Sequence, residues 1–165
     1  MSNDLKNTIR PPQTRFSFGA TSAIITNLGI ITGLDTLTHP KLSIIGALLV
    51  IALADNLSDS FGIHIYQESE HIPKKEVWLS TLTNFFTRLF VSSTFVILII
   101  VLPIRFAAVC SVIWGLLILT VLTYTIAKQQ KISPFSAISV HLTIAFVVVV
   151  ASNFLGAFVI SRFQS

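Results

Sequence analysis

Apolar residues run along this chain in five blocks, and the charged residues gather between them. The blocks cover about residues 16–35, 41–62, 77–102, 106–127 and 134–160. A helix needs about 20 predominantly apolar residues to cross a bilayer, and each block is near that length or beyond it. A soluble helix keeps a polar face. The stretch VSSTFVILIIVL at 91–102 has no charged face at all. The pattern predicts an all-α, polytopic membrane protein with five transmembrane helices in one domain, residues 16–165.

The breaks between blocks carry helix punctuation. Pro40 and Pro134 suit the first turn of a helix, and Ser133 before Pro134 reads as an N-cap. Pro103 ends the third block, Arg105 marks a tight turn, and Trp78 stands where an interfacial aromatic is expected. The second block does not stop when it turns polar. It is predicted to extend to about His71, before Pro73, with Lys74, Lys75 and Glu76 in the linker that follows. Residues 1–15 read as a flexible polar arm. Its polarity and Pro11-Pro12 argue against a cleavable signal peptide.

Composition agrees with the blocks. The chain is 53% apolar and 11% charged, against roughly 25% charged in soluble domains. The net charge of +4 reports topology rather than nucleic-acid binding, because the basic residues form no aromatic-studded face. Lys6, Arg10, Arg15, Lys74, Lys75, Lys128 and Lys131 fall on one side of the predicted topology. Lys41, Arg105 and Arg162 fall on the other. The positive-inside rule puts the N-terminus, and the extension of the second helix, in the cytoplasm. The single cysteine, Cys110, excludes an intrachain disulfide and reads as a small core residue.

Chemistry concentrates in LLVIALADNLSDSFGIHIYQESE, residues 48–70. Asp55 and Asp59 are one turn apart on one face, with Asp55 roughly a dozen ångströms inside the membrane. An ionised carboxylate there costs at least ~3 kcal/mol, so the pair needs a cation, a proton or a partner. Carboxylates suit hard or borderline cations such as Mn²⁺ and Fe²⁺. Arg88 on the third helix lies at similar depth. It could pair with one aspartate and leave the other free. Further along, His64, Glu68 and His71 stand at i, i+4 and i+7, with Glu70 around the corner. That stripe offers a second metal-ligand set, or a merely solvated face.

Other polar residues fall within the spans. Ser22, Asn27, Asn56 and Asn153 offer interhelical hydrogen bonds, and His141 offers a packing group or a proton relay. Ser22, Thr26, Gly29 and Gly33 form a strip of small residues along the first helix that lets another helix approach. There is no nucleophile elbow, phosphate-binding glycine loop or HExxH motif. Neither an enzyme nor a bound cofactor is expected.

Two segments resemble the vacuolar iron transporter family, which includes the nodulin-21-like proteins. FGATSAIITNLGIITGL, beginning at Phe18, resembles that family's Phe/Leu-Gly-Ala-Asn-Asp-Gly helix opening. GALLVIALADNLSDS, beginning at Gly46, resembles its Gly-Ala-x-Ser-Met-Ala-x-Gly-Glu-Tyr-x-Ser segment. The resemblance implies five spans and a homodimer whose ion path lies between the first and second helices. It also implies export of Fe²⁺ or Mn²⁺ from the cytosol in exchange for protons. The family's glutamate falls on Asp55 and its serine on Ser58. Two positions depart from the pattern: the family's first-helix aspartate falls on Ser22, and its methionine on Ile51. The long cytoplasmic metal-binding domain of many members is here a short linker. On this resemblance the metal residues are Asp55 and Asp59 within the membrane, with His64, Glu68, Glu70 and His71 collecting cations at the mouth. The expected location is the plasma membrane of a prokaryote. The alternative is a membrane scaffold or partner subunit that keeps the fold without transporting.

Overall fold

A computed structural model describes the backbone of residues 12–163 and the side chains from Phe18 onward. Its elements are α1 (Pro12–Leu34), α2 (Pro40–Ser69), α3 (Lys74–Val101), α4 (Ile104–Gln129) and α5 (Pro134–Phe163). No strand occurs among the described residues. Lys6 and Arg10, and the side chain of Arg15, lie outside them. α1 begins at Pro12 rather than near residue 16. α3 begins at Lys74, so Lys74, Lys75 and Glu76 form its first turn instead of a linker. Arg105 likewise lies in the first turn of α4, not in the turn before it.

The helix ends follow from local chemistry. Pro40 opens α2 at a position where a missing N–H costs nothing. Glu76 places a carboxylate in the first turn of α3, where the helix dipole favours it. α2 and α4 close alike, with a residue in the left-handed region: His71 and Lys131, each at φ 56°. The Ile72 N–H bonds the Gln67 carbonyl at 3.2 Å, and the Ile132 N–H bonds the Ala127 carbonyl at 3.1 Å. This is the Schellman closure, which satisfies carbonyls that the helix end leaves open.

Cross-helix contacts fix the directions. Ser22 and Asn27 of α1 meet Arg88 and Ser92 of α3 in the same order. Gly29 and Gly33 of α1 likewise meet α5 near Val148 and Ser152. So α1, α3 and α5 run one way and α2 and α4 the other. The α2–α3 and α4–α5 turns therefore share the end of the bundle at which α1 starts.

α1 is the central helix and packs against the other four. Its Ile24, Leu28 and Ile31 are fully buried against Leu48, Phe95, Ile99 and Leu119. Small residues let the neighbours close in. A Cβ on Gly115 would stand 2.8 Å from the Leu28 side chain. A Cβ on Gly156 would overlap the Gly33 carbonyl and sit 2.6 Å from Thr36 Oγ1. Lipid is as apolar as leucine, so such close packing is what holds helices together in a bilayer. The predicted small-residue strip thus divides: Gly29 and Gly33 seat α5, whereas Ser22 faces α2 and α3.

α5 buries only Ala145 and exposes Phe146, Phe154 and Phe158. α2, α3, α4 and α5 are long and apolar enough to cross a membrane. The apolar part of α1, Phe18–Leu34, is shorter. This is the architecture of an integral membrane protein.

Candidate functional site

Facing stripes on α2 and α3 build a polar seam. On α2 the stripe is Asn56, Ser60, His64 and Gln67. On α3 it is Ser80, Thr81, Asn84, Arg88 and Ser92. Apart from the adjacent Ser80 and Thr81, both repeat every three or four residues, the spacing of one helix face. The rungs pair in order. Gln67 Nε2 donates to Ser80 Oγ at 2.9 Å, His64 meets Thr81 at 3.0 Å, and Asn84 Nδ2 donates to Ser60 Oγ at 3.1 Å. Beyond Arg88, Asn27 Nδ2 of α1 donates to Ser92 Oγ at 2.9 Å.

Arg88 is the centre of the seam. Nε donates to Asn56 Oδ1 at 2.7 Å. Nη1 donates to Ser22 Oγ at 2.6 Å and also to Asp59 Oδ2. Nη2 donates to Asp55 Oδ2. Asn56 is itself oriented by donating to the Ala52 carbonyl at 2.6 Å. One guanidinium therefore serves both carboxylates. The expectation that Arg88 takes one aspartate and leaves the other free is corrected. Residues at i and i+4 present their carboxylates to the same side, and the planar guanidinium has enough donors to hold both at once.

Burial across this trio is uneven. Arg88 is 1% exposed, but the side chains of Asp55 and Asp59 are 39% and 37% exposed. Counted as ionised groups, the trio carries one excess negative charge. The guanidinium is sealed between helices while both carboxylates open outward along α2. Low-dielectric surroundings magnify any uncompensated charge, so this arrangement favours one more positive charge on the open side.

The six residues expected to hold metal are not brought into one cluster. No group of three or more His, Cys, Asp or Glu side chains converges among the described residues. Asp55 and Asp59 share Arg88. His64 turns to α3: Thr81 gives its hydroxyl proton to the Val77 carbonyl at 2.8 Å, so it accepts from His64 Nδ1–H. The His64 ring sits edge-on to Trp78 at 4.7 Å. Glu68 and Glu70 are exposed at the end of the helix. His71 lies past it in the left-handed region, which breaks the predicted i, i+4, i+7 stripe.

The remaining candidates lie elsewhere. His141 Nδ1 meets Thr123 Oγ1 at 2.8 Å between α4 and α5, away from the carboxylates. Asn153 makes a long 3.5 Å contact to the Thr32 carbonyl. At the opposite end of the bundle, just past α1, partial burial raises the Asp35 carboxyl above the usual aspartate range.

Sequence reasoning passed over Asn84, Ser60, Thr81 and Ser92. For the three on α3 the signal was the polar repeat 81, 84, 88, 92 within the third block. Searches of family models, curated proteins and solved structures match nothing to this chain.

Proposed function

We propose that this chain is a cation carrier of the vacuolar iron transporter type, with the Asp55–Arg88–Asp59 trio as its exchange site. The observation that carries the reading is a sealed guanidinium shared by two carboxylates that remain more than a third exposed. Structural ion pairs do not need that surplus. A charge short of balance inside a membrane marks an ion or proton pathway. Arg88 serves as the resident counter-charge, and an incoming Fe²⁺ or Mn²⁺ competes with it for Asp55 and Asp59. The resemblance of residues 46–60 to the transporter segment supplies the ion and the direction, out of the cytosol in exchange for protons.

The rest of the reading is consistent with this. Five spans and a cytoplasmic N-terminus put the α2–α3 turn in the cytosol, so the seam of α2 and α3 leads inward from the cytosol to the trio. Gly46, Ala54, Ser58 and Gly62 repeat at four- or eight-residue intervals along exposed α2. A Cβ on Gly46 or Gly62 would touch nothing. This face suits close approach of α2 from a second copy, which would cover the carboxylates in a homodimer. Residence in a prokaryotic plasma membrane completes the proposal.

The test is flux into reconstituted vesicles, comparing Fe²⁺, Mn²⁺ and Zn²⁺ with and without a pH gradient. Gradient-dependent flux is expected for the wild type, and none for Asp55→Asn. Flux that is absent in the wild type, or equal in both, overturns the reading. The second reading, a non-transporting scaffold, draws on the four hydrogen-bonded contacts that fix Arg88 within the bundle. It predicts that an Asp55→Arg, Arg88→Asp exchange preserves everything the protein does.

A further inference from the structure

A cation that takes Asp55 and Asp59 strips Arg88 of two partners while the guanidinium stays buried. A buried charge that loses its partners is strongly disfavoured, so exchange needs another acceptor within reach. Four buried side-chain atoms meet no hydrogen-bond partner among the described residues: Asn27 Oδ1, Gln67 Oε1, Asn84 Oδ1 and Ser111 Oγ. Ser111 is on α4. Gln67 pairs with Ser80, two turns from Arg88. Asn27 pairs with Ser92, one turn beyond Arg88 on α3. Asn84 is one turn before it.

Helix geometry chooses among them. A long side chain on a helix leans over the turn N-terminal to its own Cα. Arg88 therefore extends toward Asn84 and away from Ser92. The two also share one space against α1. An ideal Cβ on Gly19 would lie 2.6 Å from Asn84 Oδ1 and 3.3 Å from Arg88 Cγ. Asn84 Nδ2 is engaged by Ser60 Oγ at 3.1 Å, which leaves Oδ1 as the unpaired end of the carboxamide. Asn84 is 1% exposed, so water does not compete freely for the oxygen.

We infer that Asn84 Oδ1 is the second seat of the Arg88 guanidinium, taken when a cation occupies Asp55 and Asp59. Ser22, one turn along α1 from Gly19, keeps its bond to Arg88 Nη1 and acts as the pivot. Asn84 is thus a positioning residue that acts through Arg88. The inference rests on the exchange reading above.

The test is Mn²⁺ binding, followed by electron paramagnetic resonance, on full-length protein in lipid nanodiscs. Each variant is taken as the folded fraction after gel filtration. Asn84→Leu leaves Arg88 without its second seat and should weaken Mn²⁺ binding at least tenfold. Gly19→Ala crowds the same seat from α1 and should act in the same direction. Arg88→Gln removes the competitor and should tighten binding. In that background Asn84→Leu should change nothing. If Asn84→Leu costs only stability and the folded fraction binds Mn²⁺ like the wild type, the second seat is overturned. The same holds if its effect persists undiminished in Arg88→Gln. A different pattern, in which neither Asp59→Asn nor Arg88→Gln alters Mn²⁺ binding, would instead overturn the exchange reading and the inference with it.

Discussion

Neutralising the two aspartates singly and together should give a strongly non-additive result. With Arg88 at +1 and two carboxylates, the wild-type trio stands at −1. Asp55→Asn or Asp59→Asn brings it to zero, the double variant to +1, and Arg88→Gln to −2. A single variant loses one charge-assisted hydrogen bond, worth about 1.5–3 kcal/mol, but also sheds the surplus negative charge. The two effects oppose, so each single change should cost only about 1 kcal/mol. The double variant leaves a guanidinium that is 1% exposed with no counter-charge beside it, only neutral acceptors. Breaking a buried pair in this way costs about 3–5 kcal/mol. The expected coupling between the two aspartates is therefore about 2 kcal/mol. Arg88→Gln should be milder than the double variant, because the carboxylates it strands are more than a third exposed while the guanidinium is sealed between helices. Equilibrium unfolding of the four proteins in one detergent or bicelle measures all of this. Additive losses, or a double variant as stable as either single one, would refute the view that Arg88 is the sealed member and the carboxylates the open ones.

Other outcomes follow from the packing. Gly156→Ala forces a methyl into the Gly33 carbonyl and Thr36 hydroxyl, and should cost about 1–3 kcal/mol in the same unfolding assay, with no change in cation binding by the folded protein. Ser58→Cys in a Cys110→Ser background should form a disulfide-linked dimer in membranes if α2 meets its symmetry mate, and Ser139→Cys on α5 should not. Asp35 has its carboxyl raised by burial, so its contribution to stability is present at acid pH and is lost as pH rises through the raised value. Asp35→Asn should therefore flatten the unfolding midpoint across mildly acid pH and raise it slightly at neutral pH.

Much of the fold was legible because lipid imposes a simple rule. A stretch such as 91–102 has no fate other than a buried or lipid-facing helix, and Pro40, Pro73, Pro103 and Pro134 mark where helices restart. Boundaries were less legible where charge was taken as a sign of loop. Lys74, Lys75 and Glu76 are compatible with a first helical turn, and basic residues near a membrane surface need no break in the backbone. The end of α2 was misplaced for the converse reason. His71 fits the helical spacing of His64 and Glu68, but the following Ile72-Pro73 disfavours helix, and the chain closes through a left-handed residue instead.

The site was half legible, and the missing half is informative. Two acids one turn apart declared themselves by their cost in a bilayer, and Arg88 by its depth. Nothing local says that one arginine reaches both, because that depends on α1 delivering Ser22 and on Asn56 fixing Nε. That same Ser22 accepts from Arg88 Nη1. A carboxylate at this place would give the guanidinium a third anion and take the trio from −1 to −2. With serine there, the hydroxyl holds Arg88 without adding charge, and the surplus stays at one. Ser22 and Arg88 together leave the site's charge one below neutral, which under the proposed exchange a divalent cation overshoots unless Arg88 moves aside.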